Sequence, residues 1–198
     1  MTYSVVQTVA PSSEPVTLAE VKLQCRIDSD MTAEDTLLTQ YIAIARQQIE
    51  NETGRQLITA TWVYRADAFP VCRWIEMPRP PLLTITTLAY VDGAGTTQTW
   101  ASSNYRVNSY ADPGRLELAY GVSWPTVRSQ FDAVQVSYTA GYGAAASAVP
   151  EPLRQAILLW VADLYLRREP TGDRQAYLMP LSVERLLWPY RVASVLIG

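Results

Sequence analysis

The sequence contains no histidine, and a single lysine, Lys22, stands beside fifteen arginines. Without histidine there is no Ser-His-Asp triad, no Cys-His pair and no HExxH zinc site. Any catalytic machinery would fall to Asp, Glu, Tyr, Arg, Ser or Cys. Cysteine is scarce too: Cys25 and Cys72 form no CxxC pair. That pattern reads as a reduced, intracellular chain without a structural zinc site. Phosphate loops of the GxGxxG or GxxxxGK[ST] kind are missing, and Gly141-Tyr142-Gly143 reads as a hinge or turn. The stretch DSDMTAED lacks the glycine and glutamate spacing of an EF-hand loop. No apolar run approaches the ~18–20 residues of a membrane span, and MTYSVVQTVAPSSEP lacks the basic and apolar regions of a signal peptide. A soluble protein made in the cytoplasm is expected.

What is present is a chain of 198 residues with net charge −3, 48% hydrophobic and 18% charged. That length suits one domain, or one domain with a large insertion, and needs no disulfides to fold. The acidic balance argues against a protein whose task is to grip nucleic acid. Residues 1–56 carry eight acidic and four basic groups and form the acidic part. The arginine bias suits planar, bidentate pairing between protein surfaces. Carboxylates at spacing two, Glu50/Glu52 and Asp28/Asp30, read as helix surface and solvated caps, since a glycosidase needs its pair across a cleft. No catalytic, cofactor or metal residue is assigned.

Pattern divides the chain into three parts. In residues 1–56 a T-x-x-E capping box, Thr17 and Glu20, opens a short helix ending near Arg26. A polar turn at Asp28-Ser29-Asp30 precedes a second helix, capped by Thr32 with Asp35. Its apolar residues recur at 38, 41, 42, 45 and 49, and Gly54 stops it. Residues 57–149 are rich in Thr, Val, Tyr and Trp and read as six or seven strands, with a type II turn at Asp112-Pro113-Gly114. Residues 150–198 return to helix. Pro152 sits in a first turn, and Ala156–Val161 is apolar on every face, which calls for burial by its own chain or by a neighbouring subunit. Val183, Leu186, Leu187 and Tyr190, at i, i+3, i+4 and i+7, mark a last short helix with an apolar end after it. The fold class expected is α+β: a helical bundle base made by both ends of the chain, with an antiparallel β-rich region inserted.

Most of the 6 Trp and 12 Tyr lie in or beside the β-rich part. Core and subunit interface account for them most simply. A carbohydrate-binding, lectin-like module is the alternative reading, and a hydrolase built on acidic residues is a distant third.

Several segments together resemble the head-tail connector (adaptor) proteins of tailed bacteriophages. The N-terminal match runs through Thr17, Leu18, Glu20, Lys22, Arg26, Asp28, Asp35, Ile42, Ala45, Glu50, Thr53, Gly54 and Arg55. Pro152, Ala156, Ile157 and Tyr165 match the family's third helix, and Leu186, Leu187, Tyr190 and Arg191 its C-terminal element. The larger β-rich middle is like the longer branch of prophages and gene transfer agents.

The resemblance implies a structural protein without catalysis, located in the neck of a virion. It implies a homo-oligomeric ring beneath the portal protein, commonly a dodecamer and monomeric when free. Such a ring extends the channel for double-stranded DNA without sequence-specific binding and offers a platform to a downstream neck or tail-completion protein. No membrane is involved. The expected subunit interface is Ile157, Trp160, Val161, Tyr165, Arg167 and Arg168. The expected portal-docking element is Leu186, Leu187, Trp188, Tyr190 and Arg191. Asp28, Asp30, Glu34 and Asp35 are expected to face the channel, where negative charge would repel DNA.

Overall fold

A computed structural model describes residues 3–167 and 179–192. The elements run β1 (Tyr3–Val9), α1 (Leu18–Cys25), α2 (Asp35–Thr53), β2 (Ala60–Ala66), β3 (Trp74–Glu76), β4 (Leu82–Val91), β5 (Thr97–Thr99), β6 (Tyr105–Asn108), β7 (Arg115–Leu118), β8 (Val134–Ala140), α3 (Glu151–Leu166) and α4 (Leu181–Leu187). This is the α+β fold expected. Two compact units emerge: a sheet unit of residues 1–12 and 59–142, and a helical unit of residues 13–58 and 143–198.

The sheet unit holds a five-stranded sheet in the order β1-β2-β8-β4-β5 and a three-stranded sheet β3-β7-β6. Every pairing between these strands is antiparallel. The central strands β2 and β8 alternate strictly between buried and half-buried residues. Successive side chains of a strand point to opposite faces, so Trp62, Tyr64, Val136 and Tyr138 all enter one core. Ile75, Met77 and Leu116 meet them from the smaller sheet. Tyr138 is fully buried, and its phenol donates to the Pro78 carbonyl at 2.9 Å. Burial pushes the phenols of Tyr138 and Tyr64 upward, that of Tyr64 to about 12.

Two local features of the sheet unit differ from the sequence reading. Tyr3–Val9 is a strand, although it lies in the segment read as the helical N-terminal part. The turn at Asp112-Pro113-Gly114 contains a cis Asp112–Pro113 bond, and Gly114 does not take the positive φ of a type II turn. Glycine serves another purpose there: a Cβ on residue 114 would run into the Leu82 side chain.

In the helical unit the capping box forms as read. The Glu20 backbone N–H donates to Thr17 Oγ1 at 3.2 Å, and the Thr17 N–H donates to Glu20 Oε2 at 2.6 Å. Arg26 closes α1 with a left-handed φ of 57° and Gly54 closes α2 with a φ of 70°. Helix α2 buries Leu38, Ile42, Ala45 and Ile49, one helical stripe. Thr32 is not its cap: Glu34 is the N-cap and makes no side-chain capping bond. Helix α3 buries Leu153, Ala156, Ile157, Trp160 and Val161, spaced i, i+3, i+4, i+7 and i+8. Leu158 and Leu159 are only half-buried, so α3 has one buried face and is not buried all round.

Candidate assembly surfaces and the polar frame behind them

Several of the residues that carry the family resemblance form a polar frame inside the helical unit, in which Lys22, Glu50, Thr53 and Arg55 are buried. Glu20 also accepts from Arg154 Nη2 at 2.5 Å, and Arg154 Nε donates to the Pro15 carbonyl at 3.0 Å. The start of α3 is thereby tied to the start of α1. The Thr17 backbone N–H, helped by the Thr17 hydroxyl and the Arg154 guanidinium, holds the Glu20 carboxyl below its ordinary range against the opposing effect of burial.

Lys22 is only 6% exposed. Its ammonium meets Asp35 at 2.6 Å and donates to the carbonyls of Met31 at 2.9 Å and Ser29 at 3.3 Å. The ion pair and the two carbonyl bonds together fold the α1–α2 connection over the lysine. The one lysine of the chain is thus an internal lock on that loop.

At the end of α2, Glu50 is buried and accepts from Arg46 at 2.8 Å, Gln56 at 2.6 Å and the Leu57 backbone N–H at 3.0 Å. Arg46 also donates to Glu14 at 2.7 Å. Thr53 Oγ1 donates to the Ile49 carbonyl, and the Thr53 carbonyl accepts from the Val192 N–H at 2.9 Å. Arg55 Nε donates to the Tyr190 carbonyl at 2.5 Å. The turn after α2 is therefore the seat of the C-terminal element. A buried carboxylate without such partners would be costly, which explains why Arg46 and Gln56 accompany Glu50.

The expected subunit-interface residues separate. Ile157, Trp160 and Val161 are at most 5% exposed within the single chain, packed among its own helices. They are corrected to core residues, because a side chain covered by its own unit offers no area to a neighbour. The Trp160 indole N–H has no acceptor among the described residues. Tyr165 is half-buried and donates to Glu34 at 2.6 Å. Arg167 is half-exposed and pairs with Asp163 at 3.0 Å. Arg168 lies outside the described residues, as do residues 193–198 of the apolar end.

Of the expected portal-docking residues, Leu187 is fully buried and belongs to the core, with Val183 and Val192 beside it in the chain. Trp188 is 60% exposed. Arg191 lies over its ring at 5.5 Å and pairs with Glu52 at 3.0 Å. Leu186 and Tyr190 are half-buried. Among the four acidic residues, Asp28 and Asp30 are exposed, while Glu34 and Asp35 are half-buried and engaged by Tyr165 and Lys22.

The aromatic cluster of the sheet unit packs on itself. Phe69 stacks on Trp124 at 4.6 Å and 7°, Trp100 lies 5.3 Å from Trp124, and Tyr105 lies 6.3 Å from Trp100. The Trp124 indole donates to the Cys72 carbonyl at 2.8 Å. The rings thus take one another as partners, as core aromatics do. Among the described residues no group of three His, Cys, Asp or Glu side chains could hold a metal ion, and no helix is long and apolar enough to cross a membrane.

Comparison with known proteins follows the same lines. Residues 15–76 match the family of phage gp6-like head-tail connector proteins. A chain from the neck of an empty GTA particle, computed with C6 symmetry, superposes with a TM-score of 0.80 at 28% identity, covering 96% of each chain. A chain from the virion of a native gene transfer agent (GTA) particle gives 0.78 at 27% identity, over 96% of this chain and 95% of that one. A chain from the neck of a native GTA particle with C12 symmetry gives 0.75 at 27%, over 98% and 96%. No curated protein matches the chain. The family match over residues 15–76 and the likeness to neck chains along nearly the whole length support a structural protein of the head-tail connector class. In particular, it is a connector of the neck of a gene transfer agent or phage.

Proposed function

We propose that this connector acts as a ring in the neck, beneath the portal protein, extending the DNA channel and presenting a platform to the next neck or tail component. The observation that carries this reading is the likeness to neck chains of C12 and C6 particles over almost the whole length of both chains. A role without catalysis goes with it, since the motif residues are occupied in holding helices and turns together. Trp188, steadied by Arg191, together with Leu186 and Tyr190, is the surface offered to the portal. Asp28 and Asp30 are the acidic pair offered to the channel. Double-stranded DNA would pass without sequence-specific contacts.

Electron microscopy of the particles tests the reading. A closed ring of this chain between head and tail is expected, and a neck without it would overturn the proposal. Portal docking is tested by Trp188→Ala, with a retained melting temperature and lost binding to the portal as the expected pair of results. Unchanged binding would remove the docking assignment. Removal of residues 181–198 is a poor test, because Val183, Leu187 and Val192 belong to the core of the helical unit.

A further inference from the structure

The five-stranded sheet ends in two edges of unlike kind. On one side β1, Tyr3–Val9, is outermost and pairs only with β2. It has seven residues, YSVVQTV, with no charge and no proline, and six of the seven are exposed. On the other side β5 covers β4 only at Ala89–Val91. The Trp100 N–H reaches the Leu88 carbonyl. From Leu82 to Thr87, β4 has no backbone partner on that side among the described residues. This second open stretch, LLTITT, is also uncharged.

Open edges are ordinarily protected by lysine, proline, short strands or covering loops, because free N–H and C=O groups template pairing with another chain. Here neither long stretch carries a charge or a proline. The bulge in β1 between Gln7 and Val9 and the two irregularities in β4 bend the strands without closing either edge. The two stretches are close in length, seven residues and six, and both are uncharged. Their directions fit as well. Successive antiparallel pairings through β2 and β8 leave β1 and β4 running in opposite senses. A copy rotated about an axis along the strands would therefore set its β1 antiparallel to β4 of its neighbour. That continues the pairing used throughout the sheet. The contact is heterologous, one surface meeting a different one, and such contacts close into rings when the rotation closes.

We infer that β1 of each copy adds to the open edge of β4 in the next, so that a second copy of this chain fills both edges and the sheets join around the ring. The inference rests on the ring reading above and assigns it a surface.

The test uses whole particles in which Cys25 and Cys72 are replaced by serine. Ser4→Cys is combined with Thr84→Cys or with Thr86→Cys, residues exposed on the two edges. Facing cross-strand Cβ atoms lie about 4.5–5.5 Å apart, close enough for a disulfide after small adjustment. Under mild oxidation one of the two pairings should give a ladder of covalent oligomers on a non-reducing gel, and neither single-cysteine variant should. As an independent arm, Val6→Lys should leave the melting temperature of the free chain within a few degrees and abolish its incorporation into particles. Rings visible in the neck with no ladder from either pair, or normal incorporation of Val6→Lys, would overturn the edge pairing while leaving the ring intact. Particles whose neck lacks the chain would instead overturn the ring reading itself.

Discussion

The two units are stabilised by different means. In the helical unit, Glu20, Lys22, Arg46, Glu50 and Arg154 are each held by more than one named partner, and turns as well as helices depend on them. The described core of the sheet unit is instead a layer of alternating apolar side chains, with the Tyr138 phenol as its buried hydrogen-bonding group. Polar partners demand one residue type at one place, because an unmatched buried donor or acceptor is expensive. Apolar packing demands only volume and alternation. This explains why every N-terminal motif residue that carries the family resemblance falls in the helical unit. The family match nevertheless runs on through β2 and β3 of the sheet unit, to residue 76.

The sharpest way to break that comparison is at Glu50. Glu50→Ala would leave the Arg46 guanidinium, the Gln56 amide and the Leu57 N–H short of an acceptor. A loss of about 3–5 kcal/mol is expected, as for other broken buried pairs, read from urea unfolding and from lost amide-exchange protection in α2. Even the isosteric Glu50→Gln should cost about 1.5–3 kcal/mol, the scale of hydrogen bonds to a charged group. In the sheet unit, Leu88 is fully buried. Leu88→Ala should cost about 2–5 kcal/mol through the cavity it leaves, yet Leu88→Met should cost less than about 1.5 kcal/mol. The contrast between the two conservative replacements is the decisive measurement. If Leu88→Met is as damaging as Glu50→Gln, the distinction between the units fails.

A smaller effect is expected at the capping box. Thr17→Ala removes the side-chain acceptor for the Glu20 N–H, and should cost about 1 kcal/mol. Thr17→Ser should restore most of it, because serine keeps the oxygen. Loss of exchange protection confined to the first turn of α1 would place the effect at the cap.

The legibility of the fold followed the same division. The capping box, the Gly54 stop and strands such as β2, β7 and β8 were readable because a polar cap has a fixed spacing and a half-buried strand alternates. Strand β1 was not readable: six of the seven residues of YSVVQTV are exposed and give no period-2 signal, so the strand is defined by its backbone bonds to β2, with Val5 against the core and Tyr3 stacked on Tyr64. The α3 segment misled in another way. Its six consecutive apolar residues suggested burial on all sides, whereas Leu158 and Leu159 are merely half-covered and Trp160 faces its own core. The capping role given to Thr32 failed because α2 begins at Asp35, with Glu34 in the N-cap position. The long-range partners, Arg154 to Glu20 and Arg55 to Tyr190, join residues 134 and 135 positions apart, and no local spacing announces them.

The smallest predicted effect concerns pH and returns to Glu20. Its carboxyl is held below its ordinary value of 4.5, chiefly by the Thr17 backbone N–H and further by the Thr17 hydroxyl and Arg154. A carboxyl that is lowered on folding binds protons more readily when unfolded. Its contribution to stability is therefore complete above about 4.5, the unfolded value, and fades as pH falls through the lower folded value. Glu20→Gln should lower stability at pH 7 slightly and flatten the loss between pH 5 and the acid limit. No group of the sheet core acts in that range, because the phenols of Tyr64 and Tyr138 are shifted upward and stay protonated. Urea midpoints of wild type and Glu20→Gln should thus converge on acidification. Parallel curves from pH 7 to pH 3 would show that Arg154 and the cap hold the neutral side chain as well as the charged one.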